Sequence, residues 1–521
     1  MKQIKMYVLA LIVTLTAIAC DKDFVEVNTN PYAVTSSDPA LLFAGAQRTH
    51  LGNWGSEHTI VQQFVSPFND GATIGVNFNA DIDLNNNPKW DQSYPTAVRS
   101  LVQALNILGN TTDRVNLKSM IRIWKVQTFM GLVDTYCDVP YFNAGKAVSN
   151  GLFFPAYDDD AVIYDDLYLE LKDAIAALNP GGDYVPADLF YGANSNASTK
   201  TTTATDQVAK WKKLGNSLLL RLGMRYSKVN PSKAQAIVAE AFTGGVMTSN
   251  TDNAYVKYDG SIYVHAENNG LRNFSQFNYA AEPFVNQLKS TNDPRARYMI
   301  ATYFNAGQVA NDPNPNTNLN DQYGVPIGVT SGQITSDPLY RGANPNGGLA
   351  YSQINIFAVG SPAAPDFYVT YAQTALLLAE AAKRGWIPGG DAAAQTHYEN
   401  AIKADMAVYS LYPTTTPIST TAIDNYIAET GVAYNPTDAL KLINTQYWIV
   451  NFRNGTEAFS NFRRTGFPAL SPNLYNNNLG GGFVRRLTYP DREGSANNVN
   501  FQAASAAIGG DNLTSRVFWD N

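Results

Sequence analysis

Apolar residues recur at intervals of three and four along much of this 521-residue chain, and this spacing constrains the fold more than any other feature. The spacing places apolar side chains on one face of an α-helix, and a neighbouring element must cover that face. Segments 98–108, 123–137, 163–178 and 208–222 show it in the first half of the chain. The sequence therefore predicts an all-α-dominated scaffold in which helices pack on helices.

A pair of predicted helices joined by a short connection lies further along the chain. The segment 368–384 is rich in Ala and Leu and stops at Gly385, a residue that suits the left-handed turn after a helix. Asp391 offers an N-cap for a second helix that runs to about Tyr409. We predict a helical hairpin of roughly tetratricopeptide size here. Two further helices are predicted over about 437–453 and 456–464.

The pattern changes between residues 230 and 361. Aromatic and β-branched residues between Tyr255 and Val264 indicate short strands or extended loops, and the Asn- and Pro-rich run 311–320 excludes regular structure. Loops of this length inside a compact protein are functional or mobile in most cases. The predicted division is a helical scaffold over about 20–229 and 362–470, with an irregular, ligand-side portion with short β-hairpins over about 230–361 and 471–521.

The first 23 residues predict where the protein works. Two lysines precede an apolar stretch, 6–18, which is followed by Ala19 and Cys20. This arrangement is a secretory signal, and its apolar part is shorter than the roughly 20 residues that span a bilayer as a helix. A Cys directly after a small residue is the acylation site of a bacterial lipoprotein. We predict a signal peptide over 1–19 and a lipid anchor at Cys20; the alternative is a secreted protein with an incidental Cys.

Charge and cysteine content exclude several classes of protein. The net charge is −7 and no basic run occurs, which argues against binding of nucleic acid. If Cys20 carries the anchor, Cys137 is the one remaining cysteine, so no disulfide framework holds the fold. The apolar residues around Cys137 predict a buried, inert thiol.

No catalytic constellation stands out in the sequence. The four histidines are far apart, and no nucleophile elbow or recognisable pair of carboxylates is present. Asp158-Asp159-Asp160 precedes a predicted helix, where carboxylates suit the positive end of the dipole. Asp81-x-Asp83-x-Asn85 resembles the opening of a calcium loop, but Gln92 stands where that loop needs a bidentate Glu. We predict no catalytic residue, no metal and no cofactor, with calcium at 81–92 as the alternative.

Aromatic residues are abundant, with 30 Tyr and 7 Trp. Proteins that bind glycans without catalysing a reaction stack aromatic rings on the sugar faces. Their Asn, Asp and Arg side chains form hydrogen bonds with the sugar hydroxyls. The same rings fill cores, and the helical spacing of Trp124, Trp211 and Trp448 favours that role. The candidates for a ligand surface lie in predicted loops: Trp54, Phe78, Tyr263, Arg272 and Phe274.

Seven stretches, in order, carry a family resemblance. They are 28–32 (Asn-Thr-Asn-Pro-Tyr), 124–141 (ending in Cys-Asp-Val-Pro-Tyr), 188–192 (Asp-Leu-Phe-Tyr-Gly), 211–222, 376–386, 457–468 and 485–490. Together they resemble the SusD/RagB family of outer-membrane lipoproteins from Bacteroidetes, most closely its SusD-like subgroup. Cys137 stands where that family usually has Gly. Asp21-Lys22-Asp23 looks like the charged signal that sends such lipoproteins to the cell surface.

The resemblance implies a fold and a role. The fold is about four tetratricopeptide-like helix pairs that support a variable loop region. The role is an outer-membrane lipoprotein that faces the exterior, binds a nutrient, and acts as the lid of a SusC-like TonB-dependent barrel. A glycan or oligosaccharide is the expected ligand; a peptide (as in the RagB branch), a surface glycoside hydrolase and a purely structural scaffold are the alternatives. Ligand residues vary across the family, so none is transferred.

Overall fold

The computed structural model describes most of the chain after residue 36. The described ranges are 37–49, 54–68, 80–273, 279–304, 309–312, 314–338, 340–343, 348–413, 415–474 and 479–521. The predicted signal peptide and Cys20 therefore lie outside the described residues. Residues Pro39–Asn521 form one compact unit. Within the described ranges, no helix combines the length and the apolar character that crossing a membrane requires.

Helices make up most of the regular structure, and we number those of eight or more residues in chain order. They are α1 Pro39–Gln47, α2 Arg99–Leu108, α3 Val115–Tyr136, α4 Asp160–Ala177, α5 Ala204–Arg225, α6 Pro231–Gly244, α7 Ala266–Asn273, α8 Glu282–Ser290, α9 Tyr371–Lys383, α10 Gly390–Val408, α11 Thr420–Ile427, α12 Ala439–Val450, α13 Gly455–Thr465 and α14 Asn498–Ala507. Shorter helices are Ser56–Ile60, Asp83–Asn86, Pro88–Gln92, Ala147–Asn150, Ala296–Met299 and Glu493–Ala496, with a π-helical turn at Ser93–Val98.

The long helices pack in pairs whose members follow one another in the chain, which confirms the predicted helix-pair scaffold. The pairs are α1 with α2, α3 with α4, α5 with α6, and α9 with α10, while α12 and α13 pack on this set. Two glycines of α5 allow its close approach to both neighbours. A Cβ at Gly215 would lie 2.5 Å from Ile175 of α4, and one at Gly223 would lie 2.9 Å from Ile237 of α6. Side chains larger than hydrogen at these positions would therefore separate the helices.

The predicted hairpin forms, although one of its caps differs. Thr370 caps α9 in a capping box with Gln373, and Gly385 takes a φ of 73° after the helix ends. The prediction that Asp391 is the N-cap of α10 is wrong, because Gly389 holds that position. Asp391 lies in the first turn, where its carboxylate accepts hydrogen bonds from Lys383 at 2.7 Å and Tyr434 at 2.9 Å.

Two small antiparallel sheets draw most of their strands from the portion predicted to be irregular, while β1 and β6 come from the ranges predicted as helical scaffold. Strands β1 Phe64–Val65, β3 Tyr279–Ala280, β5 Gln353–Ile354 and β4 Ile300–Ala301 form one sheet in that order, and β2 Ala254–Val256 pairs with β6 Asp366–Val369. Beneath the loops, Tyr279, Val325, Ile334 and Tyr351 belong to a small second core. The segment 230–361 also contains helices α6, α7 and α8. Asn230 caps α6 by accepting a hydrogen bond from the backbone N–H of Lys233.

A buried charge cluster joins α3, α5 and α13. Arg225 donates hydrogen bonds to Asp134 at 3.0 Å and to Glu457 at 2.7 Å. Asp134 also accepts hydrogen bonds from Tyr164 and from the indole N–H of Trp519, the latter at 3.1 Å. Because each charge is hydrogen-bonded by an opposite charge or a polar donor, the cluster is tolerated inside the core.

A second buried ion pair joins α9 to α13. Both guanidinium NH groups of Arg464 donate to the two carboxylate oxygens of Glu380, at 2.6 and 2.7 Å. Neither side chain is exposed. The pair explains why the two stretches 376–386 and 457–468 are charged at positions that face the core.

Cys137 ends α3 in a backbone conformation that favours glycine. It is the C-cap of α3 and has a φ of 65°. Its thiol is buried and forms no disulfide, as predicted, and burial raises the pKa of the thiol to about 12. A residue with a Cβ costs roughly 1–2 kcal/mol in a left-handed conformation. The glycine that the family resemblance implies at this position would avoid this cost, because glycine has no Cβ.

This geometry predicts an inverted order of stability for two substitutions. Gly is normally less stable than Ala by roughly 0.5–1 kcal/mol within regular structure. At residue 137 we expect Cys137→Gly to be more stable than Cys137→Ala by about 1 kcal/mol, because both lose the thiol and only Ala keeps the strained Cβ. Denaturant unfolding of the two variants measures the difference. A higher free energy of unfolding for Cys137→Ala than for Cys137→Gly would show that the positive φ does not destabilise a residue with a Cβ.

Candidate functional site

A tight turn between β2 and α7 presents Tyr263, one of the predicted ligand residues. The carboxylate of Asp259 accepts hydrogen bonds from the backbone N–H groups of Ser261, Ile262 and Tyr263, at 2.7 to 3.0 Å. These bonds, led by that from Ser261, lower the pKa of Asp259. Gly260 takes a φ of 77° in the turn, next to Ala363. The turn therefore has a defined shape, and it leaves Ile262 95% exposed at its tip.

The Tyr263 ring contacts an aromatic ring and a cation. The Tyr258 ring stacks on it with 4.8 Å between centroids, and the Arg48 guanidinium carbon lies 4.4 Å from its centroid. Arg48 follows directly after α1, so the contact joins the first helix pair to the loop-rich portion. Burial raises the pKa of both phenols, which keeps them neutral at physiological pH. Within the described residues, the Tyr263 hydroxyl has no hydrogen-bond partner.

A cavity of about 450 Å³ opens beside this contact. Its polar lining comes from Arg48, Lys257, Asn194 and Asn196, and its apolar lining includes Leu41 and Tyr263. The lining combines a ring edge, two amides and two cations. Such groups can hold a polar ligand by hydrogen bonds while the apolar walls contact its C–H groups.

A second cavity, of about 250 Å³, shares Arg48 with the first. It is lined by Thr49, Gln92, Thr96 and Tyr258 together with the acidic residues Glu267 and Asp366 and with His265. We call the two cavities together the Arg48 cleft. The two cavities adjoin at Arg48, and their linings differ in charge.

The structure places Trp54 in the core and not on a ligand surface. Its side chain is 2% exposed and packs against Phe64 and Phe452, with centroid distances of 5.7 and 5.5 Å. The indole N–H donates to the side chain of Asn268 in α7 at 2.6 Å. Its prediction as a sugar-stacking ring is therefore corrected: Trp54 supports the helix that follows the Tyr263 turn.

Arg272, another predicted ligand residue, does not join Tyr263 in the Arg48 cleft. Arg272 is half-buried on α7, and it lines neither cavity of the Arg48 cleft. Phe78 and Phe274 lie outside the described residues. Four residues that line the cleft were not predicted from the sequence: Arg48, Asn194, Asn196 and Lys257. The one signal that the sequence offers for them is a pair of Asn residues, at 194 and 196, directly after the stretch 188–192.

Both acidic runs have carboxylates that accept hydrogen bonds within the protein. Asp81 and Asp83 use their carboxylates to accept hydrogen bonds from Asn86, Asn87 and the 488–491 segment. The carboxylates of Asp138, Asp159 and Asp160 lie within 4.8 Å of one another. Backbone N–H groups occupy oxygens of all three: Asp160 N–H on Asp138, Val162 N–H on Asp159 and Phe518 N–H on Asp160. The cluster therefore caps α4, as its dipole favours.

The comparison with protein families identifies the fold's relatives. The SusD-like family model, described as starch-binding and associating with the outer membrane, matches residues 31–490. The chain belongs to the SusD-like family. The resemblance found in the sequence is thereby confirmed, and so is the all-α superhelical fold.

Solved SusD-like structures cover nearly the whole chain. One, a chitin-binding protein, is 27% identical with a TM-score of 0.75, over 93% of this chain and 100% of the other. A Bacteroidetes SusD-like protein is 24% identical with a TM-score of 0.78, over 93% and 100%. A chitin-binding SusD homologue from Flavobacterium johnsoniae is 23% identical with a TM-score of 0.72, over 93% and 98%. No curated protein matches the chain.

Proposed function

We propose that this SusD-like protein captures a glycan at the cell surface and acts as the lid of a SusC-like TonB-dependent barrel, held to the outer membrane by acylated Cys20. The observation that carries the ligand part is the Arg48 cleft, where a ring, two amides and two cations converge on one cavity. A relative that is 27% identical over nearly the whole chain is a chitin-binding protein, which supports a glycan as the ligand.

The chemistry of the cleft favours binding over catalysis. Hydrolysis of a glycoside needs two carboxylates about 5–10 Å apart across the bond. The described residues that line the 450 Å³ cavity include no Asp or Glu. The two carboxylates of the cleft, Glu267 and Asp366, line its other half, and the Asp366 side chain is buried. The amides of Asn194 and Asn196 can each donate and accept, which matches the hydroxyl groups of a sugar. We therefore propose a binding protein without enzymatic activity.

Calorimetric titration with oligosaccharides derived from chitin and from starch, and with a glycan panel, tests the proposal. We expect Tyr263→Ala and Asn196→Ala each to weaken binding roughly tenfold, the effect of losing about 1.4 kcal/mol of contact. Tyr168→Ala is the matched control, because Lys172 Nζ lies 4.9 Å from that ring on α4, outside the cleft. Unchanged affinity in both cleft variants would reject this site. Binding of peptides but of no sugar would favour the peptide alternative.

An exposed apolar surface supports the partner part of the proposal. Phe153 and Phe154 are 69% and 60% exposed, and Val148 and Val499 are exposed beside them. Val148, Phe153 and Phe154 border a cavity of about 650 Å³ that is also lined by Trp90 and Tyr94. Asn500 donates a hydrogen bond to the Phe154 carbonyl at 3.1 Å, which fixes the loop on α14. Exposed apolar patches mark protein interfaces, and we propose that the barrel covers this one.

Loss of the two phenylalanines should release the barrel. We expect Phe153→Ser with Phe154→Ser to reduce the amount of barrel that co-elutes from solubilised outer membranes at least tenfold, with no change in melting temperature. Ile262→Ser is the control, because it removes an even more exposed apolar side chain, from the Tyr263 turn. Undiminished co-elution, or crosslinks to the barrel from residues 255–345 alone, would contradict this assignment.

A further inference from the structure

The two halves of the Arg48 cleft carry different charges. The 450 Å³ half contains Arg48 and Lys257, and the described residues that line it include no carboxylate. The other half shares Arg48 and adds two carboxylates, Glu267 and Asp366, together with His265. The first half is thus locally cationic in a chain whose net charge is −7. We call it the cationic half.

Neither cation of the cationic half forms a salt bridge within the part of the chain that the structure describes. Arg48 and Lys257 are exposed, and no carboxylate of the described residues forms a salt bridge with either. Lysines elsewhere on the surface do have such partners: Lys213 pairs with Asp252 at 2.9 Å, and Lys172 with Glu240 at 2.9 Å. An anion that enters the cationic half would meet two unpaired charges at once.

The geometry of Arg48 suits an anion as well. Its guanidinium lies 4.4 Å from the centroid of Tyr263. A guanidinium that lies over a ring keeps its in-plane N–H donors free, and these donors match the oxygens of a carboxylate or a sulfate. Asn194 and Asn196 add amide N–H donors to the same cavity. The lining is therefore rich in donors beyond what a neutral sugar requires.

We propose that the cationic half binds an acidic sugar, carrying a carboxylate or a sulfate, within the glycan that the protein captures. This inference rests on the proposed glycan-binding function and specifies the class of its ligand. Neutral sugar units of the same chain would occupy the half that contains Glu267 and Asp366, where an anion would be repelled.

Pairs of oligosaccharides that differ only in charge test the inference. Fragments of polygalacturonate and alginate are titrated against their carboxyl-reduced forms, and sulfated fragments against their desulfated forms, by calorimetry with the intact protein. We expect the best acidic fragment to bind at least tenfold more tightly than its neutral counterpart at 20 mM NaCl. The advantage should shrink at 300 mM NaCl, because the cleft is open to solvent and its charges are screened.

Variants locate the anion. Lys257→Gln and Arg48→Gln should each weaken binding of the acidic fragment three- to tenfold, and each should weaken it at least threefold more than binding of the neutral counterpart. Lys403→Gln, an exposed lysine on α10, is the control. Equal binding of acidic and neutral fragments, or an acidic preference that survives both cleft variants, would overturn the inference while glycan capture stands. Binding of no fragment and no neutral glycan would overturn both.

Discussion

Replacing Arg225 by Met should lower the free energy of unfolding by about 3–5 kcal/mol, the cost of removing one partner from a buried ion pair. Arg225 is 1% exposed and is the shared partner of Asp134 and Glu457. Although burial itself raises the pKa of Glu457, Arg225 and then Arg221 hold it below its usual range. Without Arg225, two carboxylates would share a buried site with less compensation. Urea unfolding of the purified protein measures the loss.

Two further variants separate charge from packing. Lys172→Met removes a cation from an exposed pair with Glu240, and it should cost less than about 1 kcal/mol. Adding Glu457→Gln to Arg225→Met should recover part of the loss, because it removes one of the unpaired charges. A cost for Arg225→Met as small as that of Lys172→Met would show that the cluster is not energetically coupled.

Glu380→Gln should cost about 3 kcal/mol at pH 6, and this cost should disappear in acid. Burial raises the pKa of Glu380, but Arg464 and then Arg384 outweigh burial and lower it to about 2, from 4.5 in the unfolded chain. Each unit of such a shift corresponds to about 1.4 kcal/mol. The folded pKa is the lower one, so the stabilisation is complete above pH 4.5 and is lost as the pH falls towards 2.

The pH dependence makes this second prediction specific. Between pH 6 and pH 3 the free energy of unfolding of the parent should fall towards that of Glu380→Gln, so the two curves converge. Glu240→Gln, from the exposed pair with Lys172, should stay within about 0.5 kcal/mol of the parent at pH 6. Parallel curves for the parent and Glu380→Gln would contradict the assignment of the shift to Arg464.

The sequence predicted the helical scaffold well because its signals are local. The spacing in 208–222 lies within α5, and Gly385 follows α9 with the expected positive φ. Caps were less predictable: Asp391 has the right chemistry for an N-cap but lies two residues after Gly389, which takes that position. The loop composition around 311–320 also indicated irregular structure. The described residues of this segment form short 3₁₀ turns at its ends and one isolated bridge between Asn316 and Thr302.

The candidate site was less predictable because its contacts are distant in sequence. Trp54 reads as a loop residue between two glycines, yet Asn268, 214 positions away, accepts its N–H. Arg48 gains its importance only from Tyr263, which lies on another element. The aromatic content of the chain therefore indicated a ligand surface. Whether a given ring is buried or exposed depends on tertiary contacts, which a local sequence pattern does not contain.

The bond between Trp519 and Asp134 has a consequence for how the chain is made. The two residues are 385 positions apart, and the Trp519 side chain fills the centre of the charge cluster. A nascent polypeptide cannot close this core until residue 519 has been synthesised, and such long-range closure is slow. Under the export that we propose for this lipoprotein, most of the chain would reach the membrane before its interior can assemble. Late closure of this kind would favour a polypeptide that crosses a membrane unfolded.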